Sequence, residues 1–78
     1  MRFIYEVGSS ENSSRFFYSD EGAAIQAVRR DAMAKASELN TEIRIPKWVD
    51  SMLLITVIEP REPSALVHEF HYQRHSVL

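Results

Sequence analysis

The sequence predicts an α+β fold: a mostly antiparallel sheet of four to five strands with one long helix packed on one face. Three observations carry this. The stretch Ser19 to Asn40 is the one long segment with helical periodicity. The other apolar segments are short and alternate with the two-residue period of a strand. At 78 residues the chain is a single domain, 1–78, of a size that buries only about 60% of its unfolded surface.

Taken in order, Arg2 to Val7 alternates cleanly. Phe3, Tyr5 and Val7 share one face of a strand, while Arg2, Ile4 and Glu6 share the other. Gly8 to Ser14 reads GSSENSS and is expected as a flexible turn or loop. Arg15 to Tyr18 is aromatic and suits a second strand, with Phe16 and Tyr18 on one face and Phe17 on the other. The two strands form a hairpin with a loose tip.

The helix follows. Ser19 and Asp20 are both suitable N-caps, since a short side-chain oxygen accepts an orphan backbone N–H. Asp20 and Glu21 complement the positive end of the helix dipole. Alanines at 23, 24, 27, 32, 34 and 36 supply intrinsic propensity, and Asn40 is the C-terminal stop. The expected inner stripe is Ile25, Val28, Ala32, Ala36 and Leu39, bordered by Arg29 and Met33 on one side and Ala24 and Lys35 on the other. The opposite face carries Ala23, Ala27, Arg30, Ala34 and Glu38, and is mostly methyl-sized.

Glu42 to Ile45 alternates as a short strand, which Pro46 ends or confines to a sheet edge. Lys47 to Asp50 reads as an irregular connection. Ser51 to Glu59 is apolar on both faces, the signature of an interior strand covered on both sides. One helix covers only one face, so the other needs loops, a neighbouring chain or a partner. Pro60 to Pro63 is a turn. Ala65 to Gln73 alternates as a strand, with Leu66, His68, Phe70 and Tyr72 against Ala65, Val67, Glu69 and His71. A helix is its rival, because Leu66, Phe70 and Arg74 also stand at four-residue spacing. The tail from Arg74 to Leu78 is expected to fray.

Net charge is −2 and no cysteine is present. The first argues against a basic footprint for direct nucleic-acid binding, and the second removes disulfides and thiolate metal sites. The longest apolar run, Met52 to Ile55, is too short to span a membrane. With a strand-like start and no signal peptide in evidence, the expected location is cytoplasmic.

No catalytic, cofactor or metal site is expected. His68, His71 and His75 lack the HExxH spacing, and on a strand His68 and His71 point to opposite faces. Ser9, Ser10, Ser13 and Ser14 have no flanking nucleophile-elbow glycines. Gly8 and Gly22 are the only glycines, too few for a phosphate cradle. Tyr5, Phe16 and Tyr18 with Arg2 and Arg15 could form a base-stacking sheet face, but the acidic balance opposes it. Trp48 is the one tryptophan, either folded back to cap the core or free as a binding anchor.

In layout the chain resembles small phage-encoded inhibitors of the anti-CRISPR type. It opens on a strand (Met1-Arg2-Phe3-Ile4-Tyr5), passes a polar loop and an alanine-rich helix (Glu21 to Leu39), and closes on strands. The resemblance carries no motif and transfers no residue. It implies a non-enzymatic protein-binding inhibitor that needs no cofactor. The partner would be a protein, specifically a CRISPR effector or other host protein–nucleic-acid complex in the host cytoplasm. The candidate partner-binding residues are Trp48, Lys47, Arg30, Glu11, Asp20, Glu21 and Asp31, with the acids, Glu6 among them, imitating phosphates. The alternative is a homodimeric structural or regulatory module of antitoxin-like layout, paired through the uncovered sheet face or an edge strand. A small metal-dependent enzyme built on the histidines is the third reading.

Overall fold

The computed structural model describes residues 2–77. Its strands are β1 (Arg2–Ser9), β2 (Asn12–Tyr18), β3 (Lys47–Val49), β4 (Met52–Glu59) and β5 (Leu66–Val77), with one helix, α1 (Glu21–Glu38), between β2 and β3. All five strands join one antiparallel sheet in the spatial order β2-β1-β5-β4-β3. The helix lies across one face, against β1, β4, β5 and the margin of β2. The expected α+β fold is the observed one. No helix among the described residues is long and apolar enough to cross a membrane.

Helix α1 is capped at both ends by local chemistry. Asp20 is the N-cap, and its Oδ2 accepts the Ala23 N–H at 2.8 Å. At the other end Asn40 adopts a left-handed φ of 52°. The N–H groups of Asn40 and Thr41 then return to the carbonyls of Ser37 and Ala36. That pair of bonds is a Schellman motif, and it ends the helix at the expected residue.

The helix presents a different stripe from the expected one. Ala24, Ala27, Val28, Ala32 and Ala36 are buried, while Ile25 and Leu39 only border the core. The stripe is rotated by roughly 50° at 100° per residue. Ala27, expected outside, is 2% exposed. The sheet supplies the reason, because Leu53, Ile55, Val57, Phe70 and Tyr72 already fill the layer between the two. A helix face of methyl groups lets the backbone approach them closely, and larger side chains are displaced to the margin.

Three connections also differ. The expected hairpin is present, but its tip is tight rather than loose. β1 runs to Ser9 and β2 starts at Asn12. Its tip is pinned: Ser10 N–H donates to the Glu69 carbonyl at 2.8 Å, and Glu69 N–H donates to Ser10 Oγ at 2.9 Å. Arg15 Nη1 donates to the carbonyls of Asn12 and Ser14, and Asn12 Oδ1 accepts the Ser14 N–H. Side-chain bonds of this kind do the work that residue propensity does not.

The segment from Glu42 to Ile45 is not a strand. It makes one bridge, Ile43 to Val57, and one bond from Arg44 N–H to the Thr56 carbonyl. The strand lies instead at Lys47–Val49, expected as irregular, and Asp50 turns it into β4 with a left-handed φ of 54°. From Arg74 to Val77 the tail does not fray; Leu78 lies outside the described residues. β5 is a strand, as alternation predicts, and it continues through Val77, pairing with β1 as far as Arg2. β5 is therefore the central strand, with β4 interior beside it.

Candidate functional site on the uncovered sheet face

Strand alternation and the observed registers decide what the bare face carries. Glu6 of β1 lies across from Phe17 of β2 and Gln73 of β5, and Leu54 of β4 lies across from His71 of β5. Ile4, Glu6, Arg15, Phe17, Met52, Leu54, Ile58, Val67, His71, Gln73 and His75 thus share one surface. None of it is covered by the helix.

A polar cluster sits at its centre. Glu6 Oε2 accepts from His71 Nε2 at 2.5 Å, and Glu6 Oε1 accepts from His75 Nε2 at 3.0 Å. Arg15 Nε stands 3.6 Å from Glu6 Oε2. Burial works against the charge on Glu6, but the hydrogen bonds and charges of the two imidazoles outweigh it and hold the carboxyl below its ordinary value of 4.5. Gly8 makes the room. A Cβ there would come within 2.5 Å of Arg15 Cδ and 2.7 Å of His71 Cε1, so both side chains lie across the space that only glycine leaves open.

Beside the cluster is an open depression of about 370 Å³, walled in part by Arg15, Met52, Leu54, Glu69, His71 and Gln73. A larger one, about 680 Å³, lies between residues 40–45 and the end of β4. No ion pair, aromatic contact or hydrogen-bonded side-chain cluster is found there among the described residues.

The covered face holds a second network. His68 is 8% exposed, and its Nε2 donates to Glu59 Oε1 at 2.9 Å. Glu11, at the hairpin tip, reaches Lys35 Nζ of the helix at 2.8 Å and stands 3.8 Å from His68 Nδ1. The hydrogen bond from His68 holds Glu59 below its ordinary carboxylate value, against partial burial. The bond to Glu11 raises Lys35. Further along, Tyr72 stacks on Tyr5 at 6.0 Å, meets Trp48 edge-on at 5.8 Å, and donates its hydroxyl to Glu21. Burial first, then the Glu21 carboxylate, pushes the Tyr72 phenol up.

These contacts place the residues singled out from sequence. Lys47 and Trp48 stand on the β3 edge. Arg30 and Asp31 pair with each other at 3.6 Å on the outer helix. Glu11 binds Lys35, Asp20 caps the helix, and Glu21 holds Tyr72. They do not converge on one surface. The histidines lie on the central strand β5, with His68 buried, His71 half-buried and His75 exposed. Tyr5 and Tyr18 pack against the core under the helix, which removes them from any base-stacking face.

No family model, curated protein or solved structure matches this chain.

The cluster of Glu6, Arg15, His71 and His75 was missed in the sequence. The one signal for it was Gly8, a glycine inside an otherwise alternating strand. Chemically, both oxygens of Glu6 are occupied, and the two imidazoles approach different oxygens. No group of three His, Asp or Glu side chains among the described residues has a metal-holding arrangement. What the cluster does is hold its side chains in one orientation beside an apolar strip.

The acid limb of stability follows from these shifts. Glu6 and Glu59 are both held below 4.5. A carboxyl lowered in the folded state contributes stability above its unfolded value and loses it as pH falls through the folded one. The urea midpoint is therefore expected to fall as pH drops below about 4.5. Glu6→Gln should flatten part of that decline. A wild-type midpoint that holds level down to pH 3 would contradict the cluster.

Proposed function

We propose that the chain is a non-enzymatic protein-binding module that docks through the uncovered face of its sheet. The observation that carries this is the bare face itself. Met52, Leu54 and Ile58 form a half-buried apolar strip along β4, with exposed Val67 across from Ile58, while half-buried Ile4 and exposed Phe17 lie on the far side of the polar cluster. Apolar surface beside ordered polar groups marks interaction sites in small domains. The depression beside Glu6 is open, and the carboxylate there is fully engaged, which suits recognition better than proton transfer.

In its specific form the module is an inhibitor that occludes a host protein–nucleic-acid complex, such as a CRISPR effector. Small size, the bare face and the layout resemblance support that form. Glu11, Asp20 and Glu21 already hold intramolecular partners, so occlusion would run through the apolar strip rather than through imitation of phosphates.

Affinity capture with quantitative mass spectrometry tests the module. The intact protein is expected to retain one stoichiometric partner. Leu54→Arg should reduce its recovery at least about tenfold, the effect of 1.4 kcal/mol, while Ala34→Arg on the outer helix leaves it unchanged. Equal recovery by all three, or no stoichiometric partner, would refute the docking face. Unimpaired DNA cleavage by effector complexes at saturating protein would remove the inhibitor form alone.

A further inference from the structure

The strand registers sort the charges by face. Arg2, Arg15 and Lys47 stand on the uncovered face, against Glu6 and Glu69. Three cations against two acids leave that face positive, in a chain whose net charge is −2. The acids that make the protein acidic lie elsewhere. Glu11, Asp20, Glu21 and Glu59 hold partners on the helix side. His71 and His75 add to the asymmetry, because imidazole is the side chain that ordinarily gains charge between pH 8 and 5.

Each of these rings is held with one nitrogen in reserve. Nε2 of His71 bonds Glu6 Oε2, and Nε2 of His75 bonds Glu6 Oε1. Among the described residues no group bonds Nδ1 of either ring. In a neutral ring that donates from Nε2, Nδ1 is an acceptor; in a protonated one it is a second donor. Burial opposes the charge on Glu6, yet the imidazoles hold its carboxyl below the ordinary value, so it stays ionised where the rings titrate. The other charged groups facing them are Arg2 of β1, Arg15 of β2 and Glu69 of β5. On β4 the facing residues are uncharged, and Lys47 of β3 stands beyond Leu54.

We propose that the uncovered face takes an acidic protein surface, and that Nδ1 of His71 and of His75 takes up a proton as that surface binds. The inference rests on the docking face proposed above and names the chemistry of what docks there. A carboxylate seated over either ring accepts from Nδ1–H, which only the protonated ring offers. Lys47 and Arg2 stand at far corners of the face, and among the described residues neither has an ion-pair partner. Carboxylates of the partner therefore meet them without displacing a contact of the fold. Between these points Met52 and Leu54 receive apolar side chains. A protein surface fits better than nucleic acid or a lipid headgroup layer. Glu6 and Glu69 stand among the cations, and a continuous run of phosphates would meet both. Tyr5 and Tyr18, which could stack bases, are on the covered side.

Titration of the full chain with a short synthetic peptide of glutamate, leucine and serine, followed by amide NMR shifts at about pH 6 and pH 8, tests it. The shifts are expected to cluster on the uncovered face. Binding should be at least about fivefold tighter at the lower pH, and calorimetry in buffers of different ionisation enthalpy should register proton uptake. His75→Gln, at an exposed position, should remove part of the pH dependence. His71→Gln with His75→Gln should remove it all, since the amides still donate to Glu6 but do not titrate. Lys47→Glu should weaken binding at both pH values, with dichroism unchanged throughout. Equal binding of a peptide with glutamine for glutamate, equal affinity at the two pH values, or a pH dependence that survives His75→Gln undiminished would each overturn the proposal. So would tighter binding of a single-stranded oligonucleotide or of phosphatidylserine vesicles, which would assign the face to phosphates. Failure of the acidic peptide while partner capture still depends on Leu54 strikes this chemistry and leaves the docking face standing.

Discussion

Tyr72→Ala is expected to remove about 3–5 kcal/mol of stability, a large share of what the domain has. A chain of 78 residues has in total about 4–12 kcal/mol. Tyr72 is 1% exposed at the centre of β5. It stacks on Tyr5, supports Trp48 edge-on, and reaches the helix N-terminus through Glu21. Truncation empties the space between helix and sheet at one end. Tyr72→Phe keeps the ring and loses one hydrogen bond whose acceptor water can reach. It should cost about 1 kcal/mol, a fall in Tm of roughly 4–8 °C. Urea denaturation of both variants checks this. A loss under about 1.5 kcal/mol for Tyr72→Ala would mean that Tyr72 does not fill the core as described.

The second large effect is expected at a small residue. Ala32 is fully buried at mid-helix among Val28, Ala36 and the large side chains of the sheet. Ala32→Leu inserts three carbons where the helix has come close because only a methyl stands there. Overpacking of this kind costs about 1–3 kcal/mol, and the close approach puts the expected loss at the upper end. Ala34, two residues on, is exposed. Ala34→Leu should fall within about 0.5 kcal/mol of wild type. The intrinsic helix propensities of the two changes are the same, so the difference between them reads the burial of Ala32 directly. Equal losses in thermal melts would show that Ala32 is not packed against the sheet as described.

That helix shows where reading from residues stops. Its existence, its Asp20 cap and its Asn40 stop are local chemistry, and all three are as expected. The face it presents is not local. A pattern of apolar residues favours Ile25 and Leu39, yet Tyr72 and Phe70 occupy the layer, and the buried stripe is four alanines and Val28. The hairpin tip is a similar case. Glycine, asparagine and four serines have loop composition, but bonds to Glu69, nearly sixty residues away, order them. Pro46 is expected to end or confine a strand at Glu42 to Ile45; that segment is not a strand, and the proline stands instead before the three-residue edge strand β3.

The sequence alone determines the α+β class, the long capped helix, the alternation of β1 and β5, and the two-sided apolar character of β4. Those depend on short-range periodicity and on side chains acting within a few residues of themselves. Only the tertiary structure decides that β5 runs between β1 and β4. That pairing brings Glu6 to His71 and His75, leaves one sheet face bare, and makes β2 an open margin. Each follows from strand order and register, which are set by contacts between residues distant in the chain. No local pattern records which strand will be the neighbour of which.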